Sequence, residues 1–115
     1  MPGYRNAYAQ DVSDDGEIVI GWNAGFGFPM VASIWTEQTG HIKLIDYLRA
    51  KGIDIPEGVS LLQAFSISGD GSVITGFGNR PGFGFQGFTW VVVVPSPTTP
   101  ILFAAFSLFA TRRKR

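Results

Sequence analysis

Cysteine is absent from the 115 residues, so no disulfide framework, thiolate nucleophile or cysteine-ligated metal can be built from this chain. Histidine occurs once, at His41, and no Gly-x-Ser-x-Gly elbow accompanies it to suggest a serine hydrolase. The front of the chain, Met1-Pro2-Gly3-Tyr4-Arg5-Asn6, lacks the apolar run of a secretory signal peptide. Charge is sparse at 16% of residues and cancels to zero, yet its distribution is uneven. All nine acids lie at or before Asp70, whereas four of the nine basic residues close the chain as Arg112-Arg113-Lys114-Arg115. Residues 1–111 therefore carry −4 and the last four residues +4. That asymmetry points to a membrane-facing terminus on an acidic body, with no nucleic-acid partner expected.

Ahead of the basic end stand a valine run at residues 91–94, Pro95-Ser96-Pro97, and an apolar stretch at 101–110 whose only polar member is Ser107. Basic residues beside an apolar segment stay on the cytoplasmic side of a bilayer. As a helix, residues 101–111 would reach about 16 Å at 1.5 Å per residue, against a hydrocarbon core of roughly 30 Å. Extending the helix back to Val91 would drive it through Pro95, Pro97 and Pro100, each without an amide donor. The expectation is a strand through the valines, a stiff linker over 95–100, a hydrophobic helix over 101–111 and a cationic stop over 112–115. With no polar face over 101–110, an amphipathic helix lying in the interface is a poor alternative, although a plain tail anchor is not.

Val94, Pro95, Ser96 and Pro97, the apolar segment and Arg112, Arg113, Lys114 and Arg115 together resemble the PEP-CTERM sorting signal, a tail that also carries the description ice-binding protein C-terminal domain. The family's Pro-Glu-Pro stands here as Pro95-Ser96-Pro97. The resemblance implies export, transient retention in the inner membrane, and processing by an exosortase-type enzyme tied to exopolysaccharide production. Delivery to the cell surface or extracellular matrix would follow. Export without a signal peptide in the sequence leads to the expectation that the chain is a C-terminal piece of a longer protein, or starts at a misplaced initiation codon.

The body is self-similar at a spacing of 55 residues. Residues 9–22 overlie 64–77 with Ala9/Ala64, Ser13/Ser68, Asp15/Asp70, Gly16/Gly71 and Gly21/Gly76 identical, and the same offset sets Trp35 over Trp90. Internal repetition of this kind indicates units that each need a neighbour to bury their faces. Within each unit a short strand ends at Ser-x-Asp-Gly, where Asp favours the turn and Gly supplies a positive φ. A second strand follows over 18–22 or 73–77, with Ile18, Ile20 and Trp22 on one face. Next come a Gly-Phe loop over 23–29 or 78–86 and a third strand through Trp35 or Trp90. Leu44, Ile45 and Leu48, with Gly52 as a stop, predict one short helix over 43–52, and Ile55-Pro56-Glu57-Gly58 a turn.

The Ser-x-Asp-Gly turns, the following Ile/Val-Gly pairs, and Val31-Ala32-Ser33-Ile34-Trp35 and Gln86-Gly87-Phe88-Thr89-Trp90 resemble the HAF-type extracellular repeats, which commonly accompany PEP-CTERM tails. Both copies lack the histidine of that signature. The resemblance covers roughly residues 7–93 and implies propeller-like β-sheets, of which two units, about 7–36 and 62–93, are too few to close a ring. The expected fold is thus mainly β: antiparallel repeat units over residues 1–94, partly propeller-like and with one short helix. The sorting segment with its C-terminal hydrophobic helix occupies 95–115.

Candidate chemistry is thin. Gly82-Phe83-Gly84-Phe85-Gln86-Gly87 fits G-x-G-x-x-G but leads into an apolar strand rather than a helix N-terminus. Phe26, Phe28, Phe83 and Phe85 on the Gly-Phe loops are candidate glycan contacts, since aromatic faces stack on sugar rings, or they simply cover the sheet ends. Asp14-Asp15-Gly16-Glu17 crowds three carboxylates, but the second copy keeps one acid, so a turn is a better account than calcium, which needs six or more oxygens. No catalytic residue, cofactor or metal site is expected. The favoured function is a non-enzymatic, surface-destined β-repeat protein with a sorting tail. The alternatives are a carbohydrate- or matrix-binding module and the C-terminal part of a secreted hydrolase.

Overall fold

A computed structural model describes residues 6–25, 28–80, 87–95 and 105–110, with 28–29 and 105–110 described through their backbone. The chain is mainly β. Strands β1 (Asn6–Val12), β2 (Ile18–Gly25), β3 (Phe28–Thr36) and β4 (Gly40–Lys43) form one antiparallel sheet in chain order. Helix α1 (Leu44–Ala50) follows, and β5 (Ser60–Ile67), β6 (Val73–Asn79) and β7 (Gly87–Val93) form a second antiparallel sheet, to which β8 (Ala105–Ala110) adds along β7. The first unit therefore extends past its expected limit at Thr36 to include β4.

The helix forms because Leu44 and Leu48 fall one turn apart and are both fully buried, each burial contributing about 1.5–3 kcal/mol. Its end is the one the sequence implies. Gly52 takes φ 84°, its amide donates to the Arg49 carbonyl at 3.0 Å, and the Ile53 amide donates to the Leu48 carbonyl at 3.1 Å. This is the paired bonding of a Schellman ending, with buried Ile53 as its apolar contact.

Two sequence-level expectations are corrected. The hydrophobic helix over residues 101–111 is replaced, over Ala105–Ala110, by strand β8, antiparallel to β7 with Val91 opposite Ser107 and Val93 opposite Ala105. The physical reason is the free edge of β7, whose amides and carbonyls otherwise lack partners. A helix this short has little tertiary packing to hold it in water. The linker positions 96–100 and the basic end 112–115 lie outside the described residues. The second correction concerns the Gly-Phe loops: β2 continues to Gly25 and β3 begins at Phe28, so the first loop is shorter than residues 23–29, and β6 absorbs Gly78 and Asn79 of the second.

The equivalence of Trp35 and Trp90 also fails in detail. Gly21 stands opposite Ser33, whereas Gly76 stands opposite Trp90, so β7 is displaced by two residues relative to β3. Trp90 is consequently laid over Gly76 and Gly78, where a Cβ at Gly76 would overlap the indole, and it is completely buried. Trp35 pairs with Val19 and His41 instead and is 41% exposed.

One contiguous core joins the sheets, drawing Ile20, Ala32 and Ile34 from the first and Ile74, Phe88, Trp90 and Val92 from the second. Because 55 is odd and side chains alternate along a strand, Ile20 and Ile74 do not occupy equivalent faces. Ile20 corresponds to Thr75, and Ile74 corresponds to Val19. The first unit packs with its front (Ile18, Ile20, Ile34) and the second with its back (Ile74, Trp90, Val92).

Candidate functional site

Each Ser-x-Asp-Gly turn is wired alike. The Ser13 hydroxyl donates to Asp15 Oδ1 (2.7 Å) and accepts from the Ile18 amide (3.2 Å), while Asp15 Oδ1 also accepts from the Glu17 amide (3.0 Å). In the second unit the Ser68 hydroxyl donates to Asp70 Oδ1 (2.8 Å) and accepts from Val73 (2.9 Å), and Asp70 Oδ1 accepts from the amide and hydroxyl of Ser72. Gly16 and Gly71 close the turns at φ 75° and 80°, a region that L side chains disfavour. These donors stabilise the ionised carboxylates. The Ser72 hydroxyl and amide and the Ser68 hydroxyl hold Asp70 down at about 2, and the Ser13 hydroxyl and Glu17 amide lower Asp15. The acids singled out as a crowded carboxylate group thus differ in role, with Asp15 acting as a turn former.

The two turns lie against each other. The Asp14 amide donates to the Gly69 carbonyl at 2.8 Å, and Ile18 Cδ1 is 2.8 Å from where a Cβ on Gly71 would stand. Asp11, in β1, reaches across with Oδ2 to accept the Ile67 amide (2.9 Å), and Oδ1 accepts its neighbour Val12 (2.9 Å). Both bonds lower the Asp11 pKa, that from Ile67 more. Sequence reasoning missed Asp11, because a lone acid on a strand carries no local signal of a partner 56 residues away.

Beside the stacked turns opens a cleft of about 530 Å³, lined by Glu17, Ile42, Tyr47, Lys51, Asp70 and Pro95 among others. The Lys51 ammonium sits 5.4 Å from the Tyr47 ring centroid, a cation–π arrangement, and burial raises the Tyr47 phenol. Thr36 and Thr39 share a hydroxyl hydrogen bond of 2.7 Å in the same wall. His41 stands elsewhere, across from Trp35 on the outer face of the first sheet, where partial burial lowers its pKa. The cleft combines the Tyr47 ring with hydroxyls and both signs of charge, while the single imidazole lies outside it.

Of the sorting-motif residues, two are described. Val94 is buried at 5% exposure and its amide donates to the Ser72 carbonyl at 2.7 Å; Pro95 lines the cleft and is partly exposed. Ser96, Pro97, Arg112, Arg113, Lys114 and Arg115 lie outside the described residues, as do Phe26, Phe83 and Phe85. Phe28 is described through its backbone, as the first residue of β3. No helix among the described residues is long and apolar enough to cross a membrane. No family model, curated protein or solved structure matches the chain.

Proposed function

We propose that this chain is a non-enzymatic, exported or cell-surface β-repeat protein whose tail beyond Pro95 is a sorting signal. Its partner would be an exosortase-type enzyme, and its inner-membrane residence transient. The observation that carries this reading is the position of the boundary. Val94, directly after β7, is fastened to the body by its amide on the Ser72 carbonyl and by its buried side chain. The Pro-Ser-Pro, apolar and basic segments all follow that anchor. A cut beyond Pro95 would keep β1 to β7 and the Val94 anchor in one piece and would separate β8 alone, whereas cutting before Val94 would break the second turn's contact.

In this reading β8 is the resting position of the tail in water. Its backbone groups on one side pair with β7, and a helix would satisfy them within the segment once it entered a bilayer. The two states exclude each other, so engagement of the membrane has to release the edge of β7. Propeller-like stacking of further units of this type is the architecture proposed for a longer array.

The test is expression with a functional signal peptide in hosts with and without exosortase, followed by intact-mass analysis of the C-terminus. The expected result is loss of a segment beginning after Pro95, only where the enzyme is present, with Val94 retained. An uncut, membrane-bound protein in both hosts would overturn the sorting reading and leave a plain tail anchor.

A further inference from the structure

The contact between the two units joins unlike faces of like parts, and among the described residues one face of each kind keeps exposed side chains. The front of the first unit meets the back of the second, Ile20 and Ile34 lying in one core with Ile74, Trp90 and Val92. A hydrogen bond crosses between equivalent positions, from the Asp14 amide to the Gly69 carbonyl 55 residues on. An interface of this kind is heterologous, and the operation that generates it can be applied again.

The back of the first unit carries Val19, Trp35 and His41, each at least partly exposed, with Gly21 and Ser33 buried between them. They border a shallow groove of about 240 Å³ with Trp35 41% exposed at its rim. The uncovered front of the second unit carries Val73, Thr75, Phe77, Val91 and Val93 on alternate positions of β6 and β7. All five are at least partly exposed, Val93 at 38%, and none is charged. The apolar members of this face are three valines and Phe77, and the polar Thr75, Thr89 and Asn79 stand beside them. Its counterpart in the first unit, the face of Ile18 and Ile20, is the one that packs on a back face inside the chain. The back of the first unit corresponds in turn to the surface on which that front packs in the second.

We propose that a second copy of this chain seats the front of its second unit on the back of the first unit of its neighbour, head to tail, repeating between chains the contact made within one. The predicted contact sets Val73, Phe77 and Val93 of one copy against the Trp35 groove of the next. Strand β8 borders the front face, with Ser107 opposite Val91 and Ala105 opposite Val93. Because each copy offers one front and one back, association continues beyond the dimer unless the rotation closes a ring.

The experiment is sedimentation equilibrium of the full chain over a wide concentration range, with Trp35→Glu blocking the back and Val93→Glu blocking the front. The wild-type chain should form species larger than dimers. Each variant alone should be monomeric, because every contact needs one open front and one open back. An equimolar mixture should give a dimer and nothing larger, since only the front of the Trp35→Glu copy and the back of the Val93→Glu copy remain. His41→Glu and Thr75→Lys block the same faces from other positions and should give the same pattern if the first pair fails to fold. A wild-type chain that stays monomeric would overturn the proposal. So would variants that associate singly like the wild type, as edge-to-edge pairing of strands would produce, or a mixture that stays monomeric.

Discussion

Gly16 and Gly71 offer a direct measurement of how the two units meet. Both have positive φ at the same point of the same turn, but nothing lies within 4 Å of a Cβ built on Gly16, whereas one on Gly71 falls 2.8 Å from Ile18 Cδ1. Gly16→Ala should therefore cost the backbone term alone, about 1–2 kcal/mol. Gly71→Ala should cost the same plus about 0.5–1.5 kcal/mol, the amount needed to push the Ile18 side chain off its rotamer. Removing the offending methyl isolates the second term. Ile18→Val alone should cost at most about 0.5–1.5 kcal/mol, and in the Gly71→Ala background it should cost less, by the coupling energy of a double-mutant cycle. The assay is equilibrium urea unfolding followed by tryptophan fluorescence, with the slope checked for constancy across variants. Equal losses for the two alanine variants, or a coupling indistinguishable from zero, would refute the packing of Ile18 on the second turn and with it the described junction between units.

Trp90→Ala should destabilise by about 3–5 kcal/mol as a large core truncation, while Trp35→Ala, at a position 41% exposed, should cost clearly less; comparable losses in urea unfolding would contradict the two-residue displacement of β7. Asp70 has a folded pKa of about 2 against an ordinary 3.8, so its contribution is complete above about pH 4 and is lost as pH falls toward 2. Thermal midpoints should drop across that window, and Asp70→Asn should be less stable at neutral pH with a shallower acid decline; an unchanged slope would deny the turn's role. Asp11→Ala removes the acceptor for the Ile67 amide, so hydrogen exchange at Ile67 should quicken more than at Ile74; protection retained at Ile67 would mean that the carboxylate does not bridge the units.

The repeat was legible because its turn needs particular chemistry: a hydroxyl and a carboxylate two residues apart to gather amides, then a glycine at positive φ. The helix was legible for a similar reason, since Leu44, Leu48 and Gly52 state a period and a stop. Strand β4 was not, because the four residues of Gly40–Lys43 are too short for alternation to show and owe their conformation to the free edge of β3. The displacement of β7 was equally hidden. A constant spacing along the chain says which residues are related, while strand register is set by the connection between β6 and β7, which is longer than that between β2 and β3. The tail defeated the reading for a third reason: a short, uniformly apolar run has no period to distinguish helix from strand, and the unpaired edge beside it decided the outcome.

The four-strand order of each sheet gives the tail a structural meaning apart from any sorting role. In the first unit the fourth place is taken by β4, which continues directly into α1 and is held there by the buried Leu44 and Leu48. In the second unit the same place is taken by β8, beyond the proline-rich positions 95–100. The first sheet cannot shed its fourth strand without exposing the helix-lined side of the core. The second keeps Trp90, Val92 and Val94 in the core shared with the first unit, and Val94 on the Ser72 carbonyl, through contacts that do not involve β8. Departure of the tail would open the edge of β7, a row of amides and carbonyls, and would remove the cross-strand neighbours of Val91 and Val93, while Val73 and Phe77 on β6 lie one strand further in. Edge and face are thus different surfaces of one unit: the edge offers backbone amides and carbonyls to a fourth strand, whereas the face offers the side chains of Val73, Phe77 and Val93.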